Sequence, residues 1–161
     1  MATKKKQTRT AAARSRRKAP ASKAASRPAA AARGVLSITG VAPSLTVNDV
    51  EKSLAFYRDI LGFAVQDRWE DGGKLLGVEM VAGKTVFMLG QDDFKKGRDR
   101  VKGQGVRFYC STDQDVDRVA ERIKAKGGRL DHEPKDEWGM RAFSMDDPDG
   151  YKLTIAARLK K

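Results

Sequence analysis

The feature that most constrains this chain is a succession of hydrophobic periods that is written twice. An alternating, strand-like run at Val41 to Val47 leads to Val50, Leu54, Tyr57 and Leu61, spaced i, i+4, i+7 and i+11 as on one face of a helix. Asn48 with Glu51 three residues later reads as a capping box that starts this helix of about four turns, and Gly62 stands where a C′ glycine would stop it. Three strand candidates follow at Phe63 to Trp69, Leu75 to Val81 and Thr85 to Leu89, separated by the hairpin signals Asp71-Gly72-Gly73 and Ala82-Gly83-Lys84. Gln91 to Gly103 lacks periodicity and reads as a linker. The order then recurs: a strand at Val106 to Cys110, then a helix signalled by Thr112 and Asp115 with Val116, Val119, Ala120 and Ile123 on its apolar face. Gly127-Gly128 ends that helix. Strands are expected at Arg129 to His132, Met140 to Met145 and Tyr151 to Ala156, with Asp147-Pro148-Asp149-Gly150 turning between the last two. The expected fold class is α+β: two tandem βαβββ modules, forming a curled mixed sheet around a cleft.

The net charge of +12 is not spread over these modules. Residues 1–33 hold eleven Lys or Arg, no acid and twelve Ala, whereas the rest of the chain is close to neutral. With nothing apolar larger than Ala beyond Met1, ordering this segment would cost about 1–2 kcal/mol of backbone entropy per residue with no core to offset it. Residues 1–34 are therefore expected to form a disordered basic tail and residues 35–161 the folded domain. Lys4, Lys5, Lys6, Arg14, Arg16, Arg17 and Lys18 are the candidate polyanion contacts, and binding to DNA or RNA through them would be non-specific and salt-sensitive. In composition the tail resembles Lys/Ala-rich, linker-histone-like arms. It lacks the apolar stretch of a secretory signal, no run is long enough for a membrane span, and the lone Cys110 has no disulfide partner. The expected location is the cytoplasm, with the nucleoid as an option through the tail; no membrane partner is expected.

Three motifs in order identify a family. Val47-Asn48-Asp49-Val50-Glu51-Lys52-Ser53-Leu54-Ala55-Phe56-Tyr57, then Leu61-Gly62-Phe63, and finally Asp147-Pro148-Asp149-Gly150 before a last strand are similar to the signature of the vicinal-oxygen-chelate superfamily. That superfamily includes glyoxalase I, bleomycin-resistance proteins and extradiol dioxygenases. The resemblance implies a cleft between paired modules, usually completed by dimerisation. In metal-using members it also implies four cleft ligands drawn from His, Glu and Gln. The first-strand position, seven residues before Asp49, holds Ala42, and the last-strand position, four residues after Gly150, holds Thr154. The fourth strand offers Phe87 or Met88, and the fifth offers only Gln104 within Gln104 to Tyr109. A lone amide is too few donors for a catalytic divalent ion, so no metal and no other cofactor is expected.

Within the superfamily, Trp138-Gly139-Met140-Arg141 and Phe143 before the Asp-Pro-Asp-Gly turn most resemble bleomycin-resistance proteins, which sequester ligands without metal. The reading this supports is a metal-independent small-molecule-binding protein, a homodimer, with Trp69, Phe87, Tyr109, Trp138 and Arg141 as candidate ligand contacts. Asp131, Glu133, Asp136 and Glu137 before Trp138 would suit a cationic, aromatic ligand by field and π-face together. Arg141 would favour an anionic group if it faced the cleft. No catalytic residue is assigned: Cys110 reads as a small buried side chain, and His132 as exposed or locally bonded. Two other readings stand beside this one, a metal-dependent lyase or dioxygenase of the glyoxalase type with an atypical ligand set, and a nucleoid-associated structural protein.

Overall fold

The computed structural model describes residues 38–160, so the expectations for the tail lie outside the described residues. The first module runs β1 (Ser44–Val47), α1 (Val50–Ala55) continued by a π-helical stretch (Phe56–Ile60), β2 (Ala64–Asp71), β3 (Lys74–Ala82) and β4 (Thr85–Gln91). The second runs β5 (Arg107–Ser111), α2 (Val116–Ala125), β6 (Lys135–Glu137), β7 (Met140–Asp146) and β8 (Lys152–Arg158). Both are βαβββ units, as the repeated periodicity predicts. Among the described residues no helix is long and apolar enough to cross a membrane.

The expected single curled sheet resolves into two four-stranded mixed sheets, ordered β1-β4-β3-β2 and β5-β8-β7-β6. In each, the first strand of the module pairs in parallel with the last, β1 with β4 and β5 with β8. The modules meet through side chains rather than through a backbone ladder. Phe87 of the first sheet and Phe108 of the second pack edge to face with ring centroids 5.8 Å apart. Tyr57 and Phe63 complete this aromatic cluster, within one core that both modules supply.

The β2–β3 hairpin forms as its glycines require. Asp71 pairs with Lys74 across Gly72 and Gly73, both at positive φ, the combination a two-residue turn of type I′ needs. The other local expectations need revision. Asp49, not Asn48, caps α1, its carboxylate accepting the Lys52 amide at 3.0 Å. Asn48 is engaged elsewhere: its amide donates to Asp149 Oδ1 and its side-chain oxygen accepts from Lys102 Nζ. The helix is also shorter than about four turns, ending with Leu61 N–H bonded to the Phe56 carbonyl in a widened turn.

Residues Arg129 to His132 form no strand; that place in the module is taken by Lys135–Glu137, expected to be a charged loop. The cause is turn chemistry. Trp138 and Gly139 both take positive φ, which sets Glu137 opposite Met140 and runs the pairing back to Lys135, where Pro134 has no N–H to extend it. His132 is partly buried beside this hairpin, with Nδ1 2.9 Å from the Glu133 carbonyl.

Two polar networks hold the modules in place. The wholly buried Tyr57 donates its hydroxyl to Asp147 Oδ2 at 3.0 Å, while Asp147 Oδ1 accepts the amides of Asp149 and Tyr151. Burial pushes the Asp147 carboxyl up, against the pull of these donors, and raises the Tyr57 phenol further, with the Asp147 charge adding to it. In the linker, which lacks periodicity, Asp92 and Lys102 are buried together and form an ion pair that Arg100 joins.

Tyr57→Phe should lower stability by about 1–3 kcal/mol in urea unfolding, because it keeps the ring but strips a donor from a buried carboxylate. An unchanged midpoint would mean that the two amides satisfy Asp147 alone. The Asp92 carboxyl is held well below the usual range, first by Lys102, then by Arg100 and the Phe94 amide. A depressed carboxyl adds stability that is complete above its unfolded pKa of about 3.9 and is lost as pH falls towards the folded value. The acid limb of a stability–pH profile should therefore be shallower in Asp92→Asn than in the parent, measured by thermal melts from neutral pH downward.

Candidate functional site

Strand alternation assigns each sheet a face towards the helices and a face away from them. In the first sheet Leu45, Val47, Val78, Met80, Phe87 and Leu89 point into the core, and Arg68 reaches Glu51 on α1, which fixes the helix side. The outer face therefore carries Trp69, Glu79 and Met88, with register pairs Trp69–Gly77 and Glu79–Met88. The Trp69 ring occupies the space that a side chain at Gly77 would fill, the ring lying 2.8 Å from the position of such a Cβ.

In the second sheet Phe143, Met145 and Leu153 are buried, and Arg141 on the same side bonds Asp117 of α2. The outer face then carries Arg107, Tyr109, Ser144 and Thr154. Its centre is a polar cluster. Arg107 Nη1 donates to Ser144 Oγ at 3.1 Å and to Thr154 Oγ1 at 2.8 Å, and the two hydroxyls bond each other at 2.9 Å. Ser144 and Thr154 are only 8% and 7% exposed, whereas Arg107 stands open to solvent. Arg107 makes no ion pair among the described residues. Lys152 and Lys135, on the same face, are neutralised by Asp146 and Glu137.

Residues 37–155 match the Glyoxalase/Bleomycin resistance protein/Dioxygenase superfamily. The chain belongs to that superfamily. It is 25% identical over 122 residues to glutathione transferase FosA of Serratia marcescens, covering 72% of this chain and 82% of that protein. It is 28% identical over 117 residues to a probable lactoylglutathione lyase of Synechocystis, covering 69% and 88%. Among solved structures, TnmS3, an antibiotic-binding protein from Streptomyces sp. CB03234, superposes with a TM-score of 0.60 at 23% identity, covering 77% of this chain and 99% of that one.

Superfamily members that use a metal draw its ligands from cleft strands, and the side chains here do not suit one. Ala42 precedes β1, and Gln104 precedes β5. Register places Met88, not Phe87, on the outer face of β4, and a thioether is a poor donor for a hard divalent ion. On β5 the outward residues are Arg107, Tyr109 and Ser111; a guanidinium repels a metal cation, and a neutral hydroxyl is a weak ligand for one. Thr154 on β8 is already engaged by Arg107. Among the described residues no three His, Cys, Asp or Glu side chains are grouped to hold an ion.

The five candidate ligand contacts do not share one place. Trp69 and Tyr109 lie on outer faces, 43% and 58% exposed, but of different sheets. Phe87 is a core residue, because its register with Met80 turns it inward. Arg141 is on the helix side, clamped by Asp117 and Asp136, which raise its already high pKa, Asp117 most. Trp138 is at the tip of the β6–β7 hairpin and 99% exposed. The acidic loop before it leaves a cation one carboxylate without an ion pair among the described residues, Asp131. Glu133 pairs with Lys124, Asp136 with Arg141 and Glu137 with Lys135. Cys110 is partly buried and its thiol is pushed up by burial, against a role as a nucleophile.

Sequence reasoning missed Arg107, Ser144 and the role of Thr154 as their partner. The signal was present: pairing β7 with β8 about the Asp147–Gly150 turn sets Ser144 opposite Thr154, and alternation from Tyr109 puts Arg107 on the same face.

Trp138 stands at φ 53°, a left-handed conformation that Asn and Gly tolerate and bulky side chains do not, and its exposed ring gains no burial in return. Trp138→Asn should therefore raise stability by about 1 kcal/mol, seen as a higher urea midpoint at unchanged slope. A loss of stability instead would reveal that the ring is seated against a second surface in solution.

Proposed function

We propose that the domain is a metal-independent small-molecule-binding protein that holds its ligand against the outer faces of its sheets, and that it does so as a homodimer. The observation that carries this reading is the polar centre of the second sheet. Where a metal-using relative would need donors, this chain has a guanidinium seated on two neutral hydroxyls. Its own charge removes both the need and the room for a metal cation there. The likeness to TnmS3, an antibiotic-binding protein, agrees with binding rather than turnover. Trp69 and Tyr109 supply flat, half-open ring surface of the kind that small-molecule sites use, and that a second copy would enclose. The basic tail would add non-specific contact with a polyanion through Lys4, Lys5, Lys6, Arg14, Arg16, Arg17 and Lys18.

The similarity to a glutathione transferase and to a probable lactoylglutathione lyase favours the competing reading, a metal-dependent enzyme. Elemental analysis together with thermal melts distinguishes the two. The purified full chain should carry substoichiometric Mn, Ni, Zn or Fe, and adding these ions should leave the melting temperature in place, since a ligand raises it only by binding the native state. One tightly held transition ion per chain, with a melting temperature that collapses on chelation, would overturn the proposal.

A further inference from the structure

We propose that Arg107 is the anchor of an oxyanion-binding site on the outer face of the second sheet, and that the small molecule bound there bears a carboxylate or a related oxyanion beside a flat apolar body. This rests on the binding reading above and assigns it a ligand class, opposite in sign to the cation that the acidic loop suggests.

The argument begins with donors. A guanidinium has five N–H groups and no acceptor. Both N–H groups of Arg107 Nη1 are spent, one on Ser144 Oγ and one on Thr154 Oγ1. Nε–H and the two N–H groups of Nη2 have no protein acceptor among the described residues, and Nε–H with the nearer N–H of Nη2 forms one edge of the planar group. That edge is the fork that receives the two oxygens of a carboxylate in parallel hydrogen bonds.

Orientation comes next. An exposed arginine ordinarily wanders among rotamers, and ordering it on binding offsets part of the gain. Here the two hydroxyl partners are more than nine-tenths buried and bonded to each other, so the guanidinium rests on a fixed polar seat before any ligand arrives. The hydroxyls orient it without neutralising it. Had either been a carboxylate, the pair would have been satisfied and closed to an incoming anion. Neighbouring charge is accounted for as well: Lys152 is paired with Asp146 and Lys135 with Glu137, and Arg158, which has no ion pair among the described residues, stands four residues along β8 from Thr154, so the unpaired positive charge beside the buried hydroxyls is that of Arg107.

The remaining element is shape. Tyr109 follows Arg107 by two residues on β5, on the same face, and pairs in register with Thr154. Its 58% exposed ring lies along the strand from the charged fork, where it can cover the body of a ligand whose acid group engages Arg107.

The test uses the full chain and three probes of one shape: sodium benzoate, neutral benzamide and cationic benzylamine, each titrated while amide shifts of Arg107 to Ser111 and Lys152 to Ala156 are followed by NMR. Inorganic phosphate serves as a fourth probe, separating recognition of any oxyanion from recognition of an aromatic carboxylate. Benzoate should shift these resonances saturably, and benzamide and benzylamine should not. Arg107→Gln should weaken benzoate binding by about ten- to a hundredfold, the loss expected for charge-assisted hydrogen bonds, with Arg107→Lys in between. Tyr109→Ala should weaken benzoate but leave phosphate unchanged. Melting temperatures of the variants report folding independently, and Arg107→Lys keeps the site testable if Arg107→Gln loosens the sheet.

Equal binding of benzoate and benzamide, or benzoate binding indifferent to Arg107→Gln, would overturn the assignment of an anion while leaving a binding protein intact. No saturable shift by benzoate or phosphate would overturn it too. So would dissociation of a dimer by Arg107→Gln without any probe effect, since the guanidinium would then be serving a protein carboxylate. A stoichiometric bound metal would instead remove the binding proposal on which this one rests.

Discussion

Two carboxylates on one turn govern how the modules meet. Asp147 and Asp149, between β7 and β8, both reach across to the first module: Asp147 to the hydroxyl of Tyr57, Asp149 to the amide of Asn48 and the hydroxyl of Ser53. Tyr57 and Ser53 are wholly buried on the first helix. A buried carboxylate that lost these donors would bear its desolvation with little return, so the turn is stable only where α1 and its π-helical continuation present them. The same turn starts β8, and β8 carries Thr154. The position of the polar centre on the second sheet is thus set, two links away, by hydrogen bonds made to the first module. Close backbone packing reinforces this: Gly103, at the end of the linker, lies so near the carbonyl of Gly150 that a side chain there would collide with it.

That arrangement explains why the family was legible from three short motifs and the chemistry was not. Asn48, Asp49, Ser53, Tyr57, Asp147 and Asp149 make up much of the resemblance, and in the structure every one of them caps a helix or ties the modules together. They specify a fold. The residues that would do chemistry lie on outer faces, where a strand's alternation fixes which side a residue takes but not what it meets across the sheet. Periodicity places both helices and seven of the eight strands nearly correctly, because most have one buried face and a strict pattern. It failed at Lys135–Glu137, whose three side chains are all exposed and whose pairing is set by a turn with a tryptophan in a glycine-like conformation. It also failed in the linker, where a buried lysine is held by an aspartate ten residues away, a long-range satisfaction with no local signature.

The misplaced ligand contacts have a common cause. Charge and aromatic content near Trp138 suggest an available field, but charged side chains on adjacent strands and helices neutralise one another before a ligand meets them. Arg141 sits between Asp117 and Asp136, Lys124 takes Glu133, and Lys135 takes Glu137. Exposed pairs of this kind add little stability, yet they cancel the local potential that a sequence count suggests. On the outer face of the second sheet, Arg107 keeps its charge available because the partners that seat it are neutral.

Coordination chemistry and guanidinium chemistry then become alternatives at a single place. A divalent ion needs acceptors that converge on it, preferably anionic ones, and several of them. A guanidinium offers only donors, so it needs acceptors on one edge and freedom on the other. A carboxylate at position 154 would serve the ion and would neutralise Arg107. A hydroxyl there is too weak a ligand for the ion but sufficient to aim the arginine. Thr154 as a missing metal ligand and Thr154 as a seat for Arg107 are therefore the same fact seen from two sides: a neutral hydroxyl at this position leaves no anionic donor for an ion and an acceptor for a guanidinium.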